Sequence, residues 1–278
     1  MEILETIDKS DMEPILAAHT GNRMFQEALY QIESPNDLLC SLGRYIHFNS
    51  VFGSGVANLA GEIGSRQDLF RELNEEVAIT ADRSVEVAAN IFFAAIDEFG
   101  DSSKVQRSTH RTLAQSTLKA AGAFFGFTLA ELNEIACPYE PTLAAISRIR
   151  VGYGISQIMN EARLFRAIGF HIGSEVLADE EFNILDGFLR ARHPDLVQYL
   201  EQTKVNIDGV ENRAYRWIQI HTSVEADHFR AAVVGANLAL RYYAGPESRS
   251  CVKGWIIDGI KEFAASQAEF MKNLAPQR

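Results

Sequence analysis

The stretch RAYRWIQIHTSVEADHFRAAVVGANLAL, residues 213–240, carries the periodicity that decides the fold. At about 100° per residue, Ala214, Trp217, Ile218, Ala232, Gly235 and Ala239 fall on one stripe of a helix. His221, Glu225 and His228 fall on the same stripe, at roughly 0°, 40° and −20° around the axis. An apolar stripe faces a core, so two imidazoles and a carboxylate point inward. Asp227 lies off that face and is expected in water.

Outward from this segment, most of the chain repeats the same pattern. Stretches rich in Ala, Leu, Glu, Gln and Arg place apolar residues three and four apart, which is helical spacing. Pro35, Pro138, Pro141, Pro194, Pro246 and Pro276 stand at breaks between them. The pattern predicts an all-α fold, a compact helical bundle. Helices are expected near 11–32, 36–63, 66–78, 82–99, 105–125, 128–134, 141–177, 179–190, 194–203, 210–244 and 249–274. No strand-turn-strand signature is read between them. One domain spanning 1–278 is expected, with residues 1–30 as a helical arm packed on its outside.

Composition excludes several classes. The 278-residue chain has 26 Lys+Arg against 37 Asp+Glu, a formal net charge of −11. Nucleic acid needs a concentrated basic face, and anionic membrane surfaces need a polybasic segment, so neither is an expected partner. The N-terminal MEILETIDKSDMEP lacks the basic-then-apolar layout of a signal peptide, and no apolar run approaches the roughly 20 residues of a transmembrane helix. Cys40, Cys137 and Cys251 are far apart, form no C-x-x-C pair, and are expected to be small buried hydrophobes. This usage predicts a reducing, cytoplasmic setting without a thiolate zinc site.

Burying two imidazoles and a carboxylate together is costly unless something satisfies them. A metal ion takes all three at once. One helix cannot complete a coordination shell, so other acids and histidines should share apolar stripes. Glu98 shares one with Val87, Ile91, Ala94 and Ala95, whereas Asp97 sides with Glu86 and Asn90. His110 opens a stripe through Leu113, Ala114, Thr117 and Ala121. Glu175 follows Leu164, Ile168, His171 and Ile172, and Glu161 lies on nearly the same face. About 21 Å of helix separates those two acids, so only one can serve a given centre. The candidate ligands are Glu98, His110, Glu175, His221, Glu225 and His228. Nitrogen and carboxylate donors without thiolate suit iron or manganese, and this number suits two ions. A ferritin-like bundle would carry two Glu-x-x-His motifs, and this chain has one, Glu225-Ala-Asp-His228.

The spacing His221-x3-Glu225-x2-His228, late in an all-α chain, resembles the last metal helix of the haem-oxygenase-like diiron oxidases and oxygenases, within the TenA/PqqC-like helical-bundle superfamily. The acidic residue between the histidines is often Asp in that family and is Glu here. The Glu98…His110 segment resembles the family's Glu…His stretch with a longer gap, and Glu175 matches its central-helix carboxylate. The resemblance covers roughly residues 45–245. It implies a compact helical bundle, two Fe ions, and O₂ as co-substrate in the oxidation of an amino acid, an amine or a fatty acid, in small-molecule biosynthesis. It also implies an external electron donor and a homodimer. Some members use one more early glutamate, for which Glu62 and Glu72 are both candidates.

Two other functions compete: a metal-free TenA/PqqC-like enzyme or pocket protein, and a non-enzymatic protein that engages a partner through its acidic surface. His171, one turn before Glu175, suits either a hydrogen-bond partner of the ligands or a core position. His19 could serve as an axial haem ligand or sit at the core edge. Phe92, Phe93, Phe124 and Phe125 are assigned to packing. Arg163 and Arg166 are expected to meet either a substrate carboxylate or surface acids.

Overall fold

The helix starts are written into the sequence as side chains that accept the first orphan N–H groups. Asp8, Ser34, Thr109, Thr128, Asn160 and Ser248 each accept a backbone N–H two or three residues on. In the computed structural model, which describes residues 5–72, 81–100 and 108–276, the first helices are α1 Lys9–Ala18, α2 Gly21–Tyr30, α3 Pro35–Asn49 and α4 Phe52–Gly64. Next come α5 Arg83–Glu98, α6 His110–Phe124, α7 Leu129–Ile135 and α8 Glu140–Gly152. The chain ends with α9 Glu161–Arg192, α10 Pro194–Gln202, α11 Arg216–Tyr242 and α12 Arg249–Lys272. A two-stranded hairpin, β1 Lys204–Ile207 and β2 Val210–Arg213, lies between α10 and α11. The fold is an all-α bundle.

Several boundaries differ from the sequence expectation. The stretches 11–32 and 36–63 are each two helices, broken at His19–Thr20 and at Ser50–Val51. The break expected near residue 178 is absent, and α9 runs unbroken for 32 residues. The chain turns earlier, between α8 and α9, where Gly154 and Ser156 take left-handed φ of 72° and 61°. The hairpin also overturns the expectation of no strand pair. Its turn is Asp208-Gly209, both at positive φ, which is the chemistry a tight antiparallel turn demands. Lys204 pairs with Arg213 and Ile207 with Val210. Of the helix expected at 66–78, Phe70 bridges Tyr243 instead, and residues 73–78 lie outside the described residues.

The central α9 packs against α11, α12 and α2, while α5 lies on α4 and α11. Helix α9 meets α12 almost backbone to backbone. A Cβ at Gly169 would sit 1.8 Å from the Ile256 carbonyl oxygen, and one at Gly259 would sit 1.9 Å from the Arg166 carbonyl oxygen. Only glycine permits that approach.

Helix α2 belongs to the core, with fully buried Phe25 stacked on Tyr45 at 5.2 Å between ring centroids. Tyr45 in turn meets Phe182 and Trp217, which builds an aromatic floor beneath the region where α5, α9 and α11 converge. Not every apolar residue joins the core: Phe92 and Phe93 are 40% and 45% exposed, and Cys137 is exposed. No helix among the described residues is long and apolar enough to cross a membrane.

Candidate metal centre

Four helices bring the ionisable groups together. Glu98 is the last residue of α5 and His110 the first of α6. Helix α9 contributes His171 and Glu175, one turn apart, and α11 contributes His221 and His228. Ligand-capable atoms of Glu98, His110 and His221 all lie within 4.8 Å of one another. Atoms sharing one ion at about 2.1 Å each stand roughly 3.5 Å apart, so a small inward adjustment would close this cluster on a metal. Glu98 Oε1 lies 2.8 Å from His110 Nδ1 and 3.8 Å from His221 Nε2.

Beside it is a second grouping. Glu175 Oε1 lies 3.2 Å from His171 Nδ1, and its Oε2 lies 3.6 Å from His228 Nδ1. Glu98, Glu175, His221 and His228 line one cavity, together with Asn49, Phe52, Val56, Ala94, Ser174, Ala178, Glu181, Phe182 and Phe263. Its free volume is about 40 Å³, within about 470 Å³ of space between atoms that includes open solvent at its mouth.

The surroundings fix how these groups point. A carbonyl oxygen can only accept, so the 2.7 Å contact between His221 Nδ1 and the Trp217 carbonyl places the proton on Nδ1. Nε2 is thereby the ring nitrogen turned toward Glu98 and the one that would ligate a metal. The His221 ring also stacks on Phe182 at 4.0 Å with an 11° interplanar angle. Ser174 donates to the His171 carbonyl at 2.7 Å and receives the Tyr153 hydroxyl at 2.7 Å. This braces the turn of α9 that carries Glu175.

The electrostatics divide the carboxyls. Burial opposes the charge of Glu98, but His110 and His221 outweigh it and hold the carboxyl well below the usual carboxylate range. The His171 imidazole is fully buried, and that burial keeps it below its ordinary value despite Glu175 alongside. Glu98 is therefore held as an ionised carboxylate, the form that can ligate a metal.

The sequence-derived residues are thus gathered as follows. Glu98, His110 and His221 form one cluster, and Glu175 and His228 form an adjacent pair. Glu225 sits on α11, but its side chain lies outside the described residues. Glu161 is engaged by the Tyr243 hydroxyl, away from the cavity, which leaves Glu175 as the acid from this helix. Neither early candidate, Glu62 or Glu72, lines the cavity; Glu72 meets Arg241 at 3.7 Å. Asp227 is exposed and pairs with Arg230. Arg163 and Arg166 do not line the cavity either, and Arg166 faces Asp258 at 3.8 Å.

Sequence reasoning missed Glu181. It sits within Ala178-Asp179-Glu180-Glu181, an acidic run that reads as a wet face, and the helix break expected near 178 put it out of phase with Glu175. In the unbroken α9 it is 3% exposed. Its Oε2 accepts from the Tyr45 hydroxyl at 2.9 Å and its Oε1 from the Gln267 amide at 2.6 Å. Burial outweighs those two donors and pushes the carboxyl up to about 7. The folded protein therefore holds this proton more tightly than the unfolded chain. The resulting stability is complete below the ordinary carboxyl range near 4.5 and is lost as pH rises through about 7. Each pH interval of one between the folded and unfolded values is worth about 1.4 kcal/mol. Glu181→Gln should therefore gain roughly 3 kcal/mol on the unmodified protein between pH ~4 and pH ~8. Urea unfolding of the metal-free forms at both pH values checks this.

Comparison with known proteins places the fold alone. No family profile matches the chain, and no curated protein matches it. Among solved structures it is similar to a TenA homolog from Pseudomonas syringae pv. tomato str. DC3000, with a TM-score of 0.56 at 10% identity, over 95% of this chain and 89% of that one. The chain therefore has the TenA-like, all-helical bundle fold.

Proposed function

We propose that this protein is a nonhaem diiron oxidase or oxygenase that uses O₂ to oxidise a small molecule. The observation that carries the proposal is the convergence of Glu98, His110 and His221 within 4.8 Å, at the wall of a cavity that Glu175 and His228 also line. Oxygen and nitrogen donors with no thiolate match iron. On this reading Glu98, His110, Glu175, His221, Glu225 and His228 hold two ions. Iron bound there would supply the electrons that reduce O₂.

The chain's own groups do the rest. The Trp217 carbonyl and the Phe182 ring hold the His221 imidazole in its ligating tautomer and orientation. His171, buried and neutral, steadies Glu175 through Oε1, the kind of support that sets ligand geometry in metal sites. Phe52, Val56, Phe182 and Phe263 wall the cavity with apolar surface, which limits water at the reacting centre and favours an organic substrate.

Anaerobic titration of metal-stripped protein with Fe(II), followed by exposure to O₂ with absorbance monitored, tests the proposal. Saturation near two irons per chain and a transient visible band on O₂ are the expected results. Saturation near one iron would restrict the site to a mononuclear centre and overturn the diiron assignment. An absence of binding would leave a metal-free, TenA-like pocket protein.

A further inference from the structure

Among the described residues, four of the five ionisable groups lining the cavity belong to the candidate metal centre. The fifth, Glu181, does not. It lies on the same face of α9 as Ala178 and Phe182, with its side chain almost completely buried, and its partners Tyr45 and Gln267 are both neutral donors. Among the described residues no lysine or arginine lines the cavity, so nothing there balances a charge on Glu181.

A buried carboxylate without a cation is costly, and the upward displacement of this carboxyl reports that cost. Each carboxylate oxygen has two acceptor sites, and among the described residues each receives one donor. The apolar side chains of Phe52, Val56, Phe182 and Phe263 line the same cavity. A ligand with a cationic nitrogen at one end and a hydrocarbon body would complete both features. A ligand with a terminal carboxylate would meet Glu181 as a like charge and, among the described residues, would find no lysine or arginine on the cavity wall.

We propose that Glu181 is a substrate-anchoring residue that binds the ammonium group of an aliphatic amine, whose hydrocarbon portion lies along the apolar wall toward the candidate metal centre. This deepens the oxidase assignment and rests on it for the amine's role as substrate; the binding site itself does not require metal.

Calorimetric titration with three probes of equal length, hexylamine, hexan-1-ol and hexanoate, tests the proposal. It is run anaerobically on the Fe(II)-loaded protein and again on the metal-free protein. Hexylamine should bind tightest in both, and Glu181→Gln should weaken it roughly 10- to 100-fold, the loss of a charge-assisted contact, while leaving hexan-1-ol unchanged. The probe order on unmodified protein makes the same test without any variant. Failure of hexylamine to bind, tighter binding of hexanoate, or equal hexylamine affinity in Glu181→Gln would overturn the proposal. Iron stoichiometry separates the two assignments. Two irons per chain with Glu181-independent amine binding sinks the anchor alone, and no iron with Glu181-dependent amine binding sinks the oxidase alone.

Discussion

His221→Ala should lower the affinity for at least one iron by more than about 100-fold, because loss of even a supporting group around a metal ligand costs roughly 10- to 100-fold and this residue is proposed as a ligand. His221 is the member of the cluster with most holding it in place. It stacks on Phe182 and makes a hydrogen bond to Trp217, and its Nε2 faces Glu98. Alanine is the best helix former, so α11 should persist and the far-ultraviolet circular dichroism should match that of the unmodified protein. The removed ring leaves a polar hollow beside Glu98 that water can fill. Fe(II) titration of the variant checks the prediction, and unchanged iron stoichiometry and affinity would remove His221 from the centre.

Gly259→Ala should destabilise the protein by roughly 3 kcal/mol or more, the upper end of what overpacking costs. The added methyl would meet the Arg166 carbonyl oxygen at 1.9 Å. Backbone cannot rotate out of the way as a side chain can, so α12 must move off α9. That movement would also strain the Gln267–Glu181 hydrogen bond, which spans the same two helices. Gly254→Ala, on the same helix with open space around its Cβ position, is the control and should be neutral or slightly stabilising. Chemical unfolding of both variants measures the contrast. Equal stability would mean that the two helices do not approach this closely.

How much of this was legible in the sequence follows from the physics of each feature. The burial of His221 and His228 was legible because ionisable groups on an apolar helix face are rare without a reason, and spacing alone reveals them; the Glu225 side chain lies outside the described residues. The all-α class was legible for the same reason, since periodicity sums over many residues. Breaks inside a continuous apolar pattern were not. Ser50–Val51 interrupts two helices without a proline or glycine between them, and tertiary packing decides it. The hairpin left a usable mark, Asp208-Gly209, that the surrounding helical pattern obscured. The Gly152–Gly154 pair followed by the capping Asn160 was a similar mark for the true start of α9. Mistaking that start, and inserting a break near 178, concealed Glu181, because burial on a helix can be read only when the helix is counted in one phase.

Under the proposed function, the unbroken course of α9 would govern selectivity. Glu175 and Glu181 stand on one rod, about 9 Å apart along its axis at roughly 1.5 Å per residue, and no turn or hinge between them can change that interval. If Glu181 anchors an amine for oxidation, the helix would act as a ruler, and the position oxidised would be set by distance from the nitrogen rather than by which C–H bond is weakest. Longer or shorter substrates would then be attacked at the same count of carbons from the amine. Moving the acid by one turn, to the position of Ala178 or of Leu185, would shift the regiochemistry by a corresponding step along the chain.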